Sequence, residues 1–217
     1  HIQEMDAEWK NRKARRAGRP EVPPLYEMND ALGVLEHFEG YNYDEIVEVN
    51  DEVSIRFTDI GHLLGSASIE IWMKEDGVEK KIVFSGDIGN FNKPLIRDPI
   101  YTKEADYAVM ESTYGDRFHQ KGKDHISELV RIVQETLDRG GNVVIPSFAV
   151  GRTQEMLYYF RQIKSQHLIH GHDNFEVYVD SPLAVEATHV FKENQAECYD
   201  EETRELVEEG INPISFP

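Results

Sequence analysis

Ile82-Val83-Phe84-Ser85-Gly86-Asp87-Ile88-Gly89 reads as an apolar strand that ends in a carboxylate held between glycines. A buried strand does not end in Asp without some partner, because an unpaired buried carboxylate is very costly. One reading of Asp87 is a turn-capping aspartate, which is common. The other is a carboxylate that bridges two metal ions.

The same pattern occurs on both sides of it. Upstream, Thr58-Asp59-Ile60-Gly61-His62-Leu63-Leu64-Gly65-Ser66 runs a strand into a histidine between glycines, where the backbone must turn tightly. Imidazole at a strand end is a common zinc ligand. Taken alone, however, His62 is more often a hydrogen-bonded structural histidine. Downstream, Tyr107-Ala108-Val109-Met110-Glu111-Ser112-Thr113-Tyr114-Gly115-Asp116 again delivers an acid at the end of an apolar strand. By itself Glu111 reads as a solvated or salt-bridged strand end. Three strand-end sites of His, Asp and Glu, in order between positions 62 and 111, are much less expected by chance than any one of them. If the strands pair side by side, the three side chains emerge on one edge of one sheet and form a metal and acid/base site.

The surrounding texture supplies such a sheet. Ile46 to Val49, Val53 to Thr58, Ser68 to Lys74, Lys81 to Ser85 and Tyr107 to Glu111 are short and rich in Val, Ile and aromatics, with Glu75-Asp76-Gly77 as a hairpin turn. Little helix separates them, so the sheet is antiparallel or mixed. Ahead of it, residues 1 to 17 are helix-compatible, Gly18-Arg19-Pro20 and Pro23-Pro24 form a loop, and Asn29 and Asp30 offer an N-cap to a short helix that Gly40 closes. Beyond Gly115, Ile126, Leu129, Val130, Val133 and Leu137 mark an amphipathic helix closed by Gly140-Gly141. Val143 to Ile145 reads as a strand, Arg152 to Ile163 as a helix, Phe175 to Val179 as a strand, and Asp180-Ser181-Pro182 as the cap of a further helix. Alternating strand and helix predicts an open α/β sheet there. The break near residues 112 to 123 divides the chain into domains at 1–115 and 116–217.

A length of 217 residues, 40% hydrophobic and 29% charged, suits a soluble globular protein. No apolar run approaches the roughly 18 to 20 residues of a membrane helix, and no signal peptide is visible, so no membrane partner is expected. The single Cys198 excludes an internal disulfide framework and a Cys-based zinc cluster, and makes the cytoplasm the default compartment. A net charge of −18 argues against broad nucleic-acid binding. The charge is uneven, though, with Lys10, Arg12, Lys13, Arg15, Arg16 and Arg19 close together. They read as a solvated helix face or as a patch that steers phosphate toward a site. Arg152, where the strand from Val143 leads into a helix, could contact a phosphate at the helix N-terminus or sit on a solvated face. Ser181 repeats the arrangement, although helix capping alone explains it. Neither GxGxxG nor GxxxxGK[ST] occurs, which disfavours a nucleotide-binding second half.

Gly61-His62-Leu63-Leu64-Gly65-Ser66-Ala67, Ser85-Gly86-Asp87-Ile88-Gly89 and Glu111-Ser112-Thr113-Tyr114-Gly115 resemble three successive motifs of the β-CASP branch of the metallo-β-lactamase superfamily. Pro146-Ser147-Phe148-Ala149-Val150-Gly151-Arg152-Thr153-Gln154-Glu155 and Asp180-Ser181-Pro182-Leu183-Ala184 are similar to segments of its inserted domain. The resemblance implies an α/β fold, with part of an αβ/βα metallo-β-lactamase sandwich followed by part of a β-CASP α/β domain. It implies an RNA-processing endo- or exonuclease that hydrolyses phosphodiesters with two zinc ions and takes single-stranded RNA in its cleft. By that resemblance His62 binds one zinc, Asp87 bridges both, and Glu111 supports a histidine that acts on the leaving group. The family's His-x-His-x-Asp-His motif and its later histidine motifs are not in this sequence. His119, His125, His167, His170, His172 and His189 match none of them in spacing. The expectation is therefore a piece of a longer chain, inactive alone and holding zinc weakly if at all. The rival readings are a metal-free scaffold or RNA-binding paralogue and a metallo-hydrolase acting on DNA.

Overall fold

The computed structural model of the chain describes residues 2–118 and 124–215. It divides into two compact units, residues 1–42 and 43–217. In the first, α1 (Ile2–Arg16) is followed by α2 (Met28–Gly33) and a 3-10 turn (Val34–His37). Asn11 clips α1 to the loop after it. Its side chain donates to the Val22 carbonyl at 2.9 Å and accepts from the Val22 N–H at 2.8 Å. Half of the basic stretch is matched by acids of α1: Lys10 pairs with Asp6, and Arg12 and Arg15 pair with Glu8. Lys13 lies over the Trp9 ring. The cap falls on Glu27, ahead of the expected Asn29 and Asp30. Asp30 is the third residue of α2, where its carboxylate accepts from the Glu27 N–H at 2.8 Å, and the helical stretch stops before Gly40.

The second unit opens with a mixed five-stranded sheet in sequence order: β1 (Ile46–Glu48), β2 (Val53–Asp59), β3 (Ala67–Glu75), β4 (Val78–Phe84) and β5 (Tyr107–Val109). The first four pair antiparallel, and β5 joins β4 in parallel. β3 and β4 are joined by a two-residue turn whose residues Asp76 and Gly77 both have positive φ, the left-handed geometry that suits the twist of a hairpin. Two antiparallel steps carry β2 to β4 and one parallel step carries β4 to β5. All three therefore end at the same edge, with Phe57, Ile69, Phe84 and Val109 in one cross-strand row.

One face of the sheet carries a buried charge cluster. Glu70, 1% exposed, accepts from Arg56, Lys81 and Thr102, with the Trp72 ring beside both cations. A buried carboxylate survives only with such partners.

The rest of the unit is helical: α3 (His125–Asp138), α4 (Arg152–Ser165), α5 (Pro182–Glu193), α6 (Gln195–Cys198) and α7 (Glu201–Glu208). Asp124 caps α3, Ser181 caps α5 with Pro182 at the first helical position, and Asp200 caps α7. Leu95, Leu157, Tyr158, Phe191, Tyr199 and Ile214 form one core; Val133, Phe160, Ile163 and Ile169 form a second between α3 and α4. The mixed α/β class holds, but the strands expected at Val143–Ile145 and Phe175–Val179 do not form. Their apolar side chains are used for packing instead: Val143, Phe175 and Val177 lie against the second core, while Val144 is 85% exposed. Strand propensity needs a neighbouring strand to complete a ladder, and no ladder partner for either segment stands among the described residues. No helix is long and apolar enough to cross a membrane among those residues. His119 and the rest of 119–123 in the expected boundary lie outside them.

Candidate active site

The edge where β2, β4 and β5 end carries the His, Asp and Glu together. β2 runs into Asp59, whose buried carboxylate accepts from the Gly61 N–H at 2.9 Å and so fixes the turn into His62. Ser66 Oγ accepts from the His62 and Leu63 N–H groups, both at 3.1 Å, and closes the loop from its far end. β4 runs through Ser85 into the Gly86-Asp87-Ile88-Gly89 turn. The two turns touch backbone to backbone, since the Gly89 N–H donates to the Ile60 carbonyl at 2.9 Å. A Cβ on Gly89 would lie 1.8 Å from the Gly61 oxygen, and one on Gly61, which has a positive φ, would lie 2.8 Å from the Arg97 carbonyl oxygen, so each position excludes a side chain.

This contact sets His62 and Asp87 face to face, with His62 Nε2 3.9 Å from Asp87 Oδ2. Their side chains are 39% and 74% exposed, open to a ligand. Glu111 lies two residues past β5. Its Oε1 accepts from the Ile88 N–H at 2.6 Å, and its own N–H donates to Ser85 Oγ at 3.1 Å. The Ile88 N–H, then Thr113, hold the Glu111 carboxyl below the usual range, and nearby His62 adds to the effect. Glu111 is therefore an anion and a hydrogen-bond acceptor at neutral pH. Burial acts the other way on Asp59 and pushes its carboxyl up.

An imidazole nitrogen and a carboxylate oxygen are ordinary zinc donors, and two donors on one zinc stand about 3.3 Å apart for bonds of about 2.0–2.1 Å. The His62–Asp87 separation is near that span. No third His, Cys, Asp or Glu converges on them among the described residues. The pair fits part of a zinc site, which takes about four ligands in all.

α4 borders the edge. Gly151, at its N-cap, stands so near the His62 loop that a Cβ there would meet Leu63 Cδ2 at 2.4 Å. Arg152 is 61% exposed and its Nε pairs with Glu155 at 3.2 Å. The first amides of α4 are taken: Gly151 donates to Gln154 Oε1, Arg152 to the Val150 carbonyl and Thr153 to the Phe148 carbonyl. The guanidinium, rather than the bare helix end, is thus the group at this point that can meet an anion. Ser181 Oγ accepts from the Ala184 N–H at 3.2 Å, and this capping bond explains its place. No hydrogen bond or ion pair joins it to His62, Asp87 or Glu111 among the described residues. His172 is half-buried and bonded to Asp138 at 2.9 Å.

Sequence reasoning missed Lys93, which donates to the His62 carbonyl at 3.0 Å and pairs with Glu155 at 3.1 Å. It also left Asp59 without a role, although an Asp two residues before a Gly is a recognisable turn signal.

The Beta-Casp domain family matches residues 153–217. Over more of the chain, a ribonuclease of Thermus thermophilus is 33% identical across 193 residues, covering 88% of this chain and 42% of that protein. The RNase J-like protein of Methanocaldococcus jannaschii is 33% identical across 193 residues, with 87% and 44% covered. The transcription termination factor FttA of Methanosarcina mazei is 32% identical across 198 residues, with 87% and 29% covered. The chain spans less than half the length of each of these relatives.

Proposed function

The chain belongs to the β-CASP family of metallo-β-lactamase-fold proteins, and on that premise we propose that the protein is a metal-dependent hydrolase of single-stranded RNA. The observation that carries the reading is the edge itself: His62 and Asp87 face each other at 3.9 Å while Glu111 is locked beside them by the Ile88 N–H.

In this reading His62 Nε2 and Asp87 Oδ2 supply part of a zinc site, and the remaining ligands come from outside the described residues. Bound zinc would neutralise phosphate charge and make water a nucleophile at neutral pH. The chain's own residues orient the reaction. Glu111, ionised and fixed by two hydrogen bonds, is suited to accept from an imidazolium that protonates the leaving oxygen. Arg152 offers its guanidinium to a neighbouring phosphate while its Nε stays paired with Glu155. We place the metallo-β-lactamase part at 1–115 and the β-CASP part at 116–217, and the family match at 153–217 supports the second. We also assign the protein to the cytoplasm, on its single cysteine.

The test is cleavage of a labelled single-stranded RNA by the full-length protein, with the equivalent DNA and the Asp87→Ala variant alongside. RNA cleavage lost in Asp87→Ala supports the reading. DNA cleavage alone moves the substrate class, and no cleavage of either by the wild type leaves a scaffold with a nuclease's fold.

A further inference from the structure

Lys93 stands 31 residues from His62 in sequence and yet holds its backbone carbonyl at 3.0 Å. The same ammonium pairs with Glu155 Oε1 at 3.1 Å, and the other oxygen of Glu155 pairs with Arg152 Nε at 3.2 Å. The chain His62–Lys93–Glu155–Arg152 therefore runs without a gap from a candidate metal ligand to the candidate phosphate contact. Its middle is shielded, since the Glu155 side chain is 11% exposed and that of Lys93 is 22% exposed. Beside it Leu63 presses on Gly151, so the His62 loop and the first turn of α4 meet through one apolar and one ionic contact.

A shielded ion pair is weak support for stability, because desolvation offsets much of its attraction. What it does well is fix geometry. Hydrolysis at a metal edge requires the phosphate contact and the metal ligand to keep one spacing, and misplacement by about 1 Å costs on the order of 100-fold in rate. We propose that Lys93 and Glu155 are a positioning pair that fixes the His62 loop against the first turn of α4, so that His62 and Arg152 keep that spacing. The proposal rests on the functional reading above. Neither residue touches the reacting atoms: Lys93 acts through the His62 backbone, and Glu155 acts through Lys93 and Arg152.

The experiment uses the full-length protein and the variants Lys93→Met, Glu155→Gln, the double variant and Lys93→Arg, with Lys80→Met as a control at an exposed pair with Asp106. Zinc affinity is read by chelator competition, and kcat and KM on a single-stranded RNA. Lys93→Met and Glu155→Gln should each lower kcat and zinc affinity by about 10- to 100-fold, as loss of a partner that orients a metal ligand does, with KM moved far less. The double variant should be no worse than Lys93→Met, because the two act as one unit. Lys93→Arg should recover most of the loss. Wild-type kcat and zinc affinity in Lys93→Met, or equal losses in Lys80→Met, would overturn the proposal. If Lys93→Met does not fold, Glu155→Gln and Lys93→Arg decide it by the same readouts. If the wild type neither binds zinc nor cuts RNA, the functional reading fails, and amide exchange at residues 61–65 decides the pair. Faster exchange in Glu155→Gln keeps it, and unchanged exchange removes it.

Discussion

Gly89 rests against Gly61 so closely that a single methyl group on Gly89 would fall 1.8 Å from the Gly61 carbonyl oxygen. That contact brings the loop carrying His62 against the loop carrying Asp87. Gly89 does not have a positive φ, so its requirement is purely one of space. Gly89→Ala should destabilise the chain by about 1–3 kcal/mol, the usual cost of overpacking, because backbone cannot swing aside as a side chain can. Gly40→Ala, with open space around it and no positive φ, should be near neutral. Urea unfolding of the two variants checks this, and equal midpoints would contradict it.

The buried Glu70 cluster predicts a pH dependence. Burial alone raises its carboxyl, but the hydrogen bonds from Arg56, Lys81 and Thr102 outweigh it and leave the group below the ordinary value. A depressed acid adds stability above its unfolded value, about 4.3 for Glu, and loses it as pH falls through the folded value. Stability should thus decline on acidification from about pH 4.3 downward, and less steeply in Glu70→Gln. At neutral pH Glu70→Ala should cost about 3–5 kcal/mol, because two shielded cations lose their partner. Denaturant midpoints measured from pH 3 to pH 7 (roughly the carboxylate range) test both statements.

Asp59 behaves with the opposite sign. Burial raises its carboxyl, so the fold favours the protonated form. That contribution is whole below the unfolded value of about 3.9 and is lost as pH rises through the folded one. Asp59→Asn removes the charge and keeps an oxygen for the Gly61 N–H, so it should be at least as stable as the wild type at neutral pH. Asp59→Ala leaves the turn amide without its acceptor and should cost about 1–3 kcal/mol. Thermal unfolding at neutral pH should rank Asn above Ala; the reverse order would contradict the role given to the carboxylate.

The sheet and the edge residues were legible because their signals are local. Short runs rich in Val, Ile and aromatics located β1 to β5, Glu75-Asp76-Gly77 located the hairpin, and the helical spacing from Ile126 to Leu137 located α3. That His62, Asp87 and Glu111 share an edge followed once the strands were laid side by side. The segments at Val143–Ile145 and Phe175–Val179 carried the same propensity but formed no ladder, and of their residues Val143, Phe175 and Val177 pack on the second core, since a strand depends on a neighbour the run itself does not encode. Lys93 and Glu155 were out of reach for a related reason. Neither looks unusual among 23 basic and 41 acidic residues, and only the folded chain brings Lys93 to the His62 carbonyl.

Zinc bound per molecule of full-length protein, compared among wild type, His62→Ala and Asp87→Ala, tests the central claim most directly. About two ions are expected in the wild type, as in other two-metal hydrolases, with a clear loss in each variant and unchanged unfolding behaviour. Wild-type zinc content in both variants would contradict the assignment of this edge as the metal site.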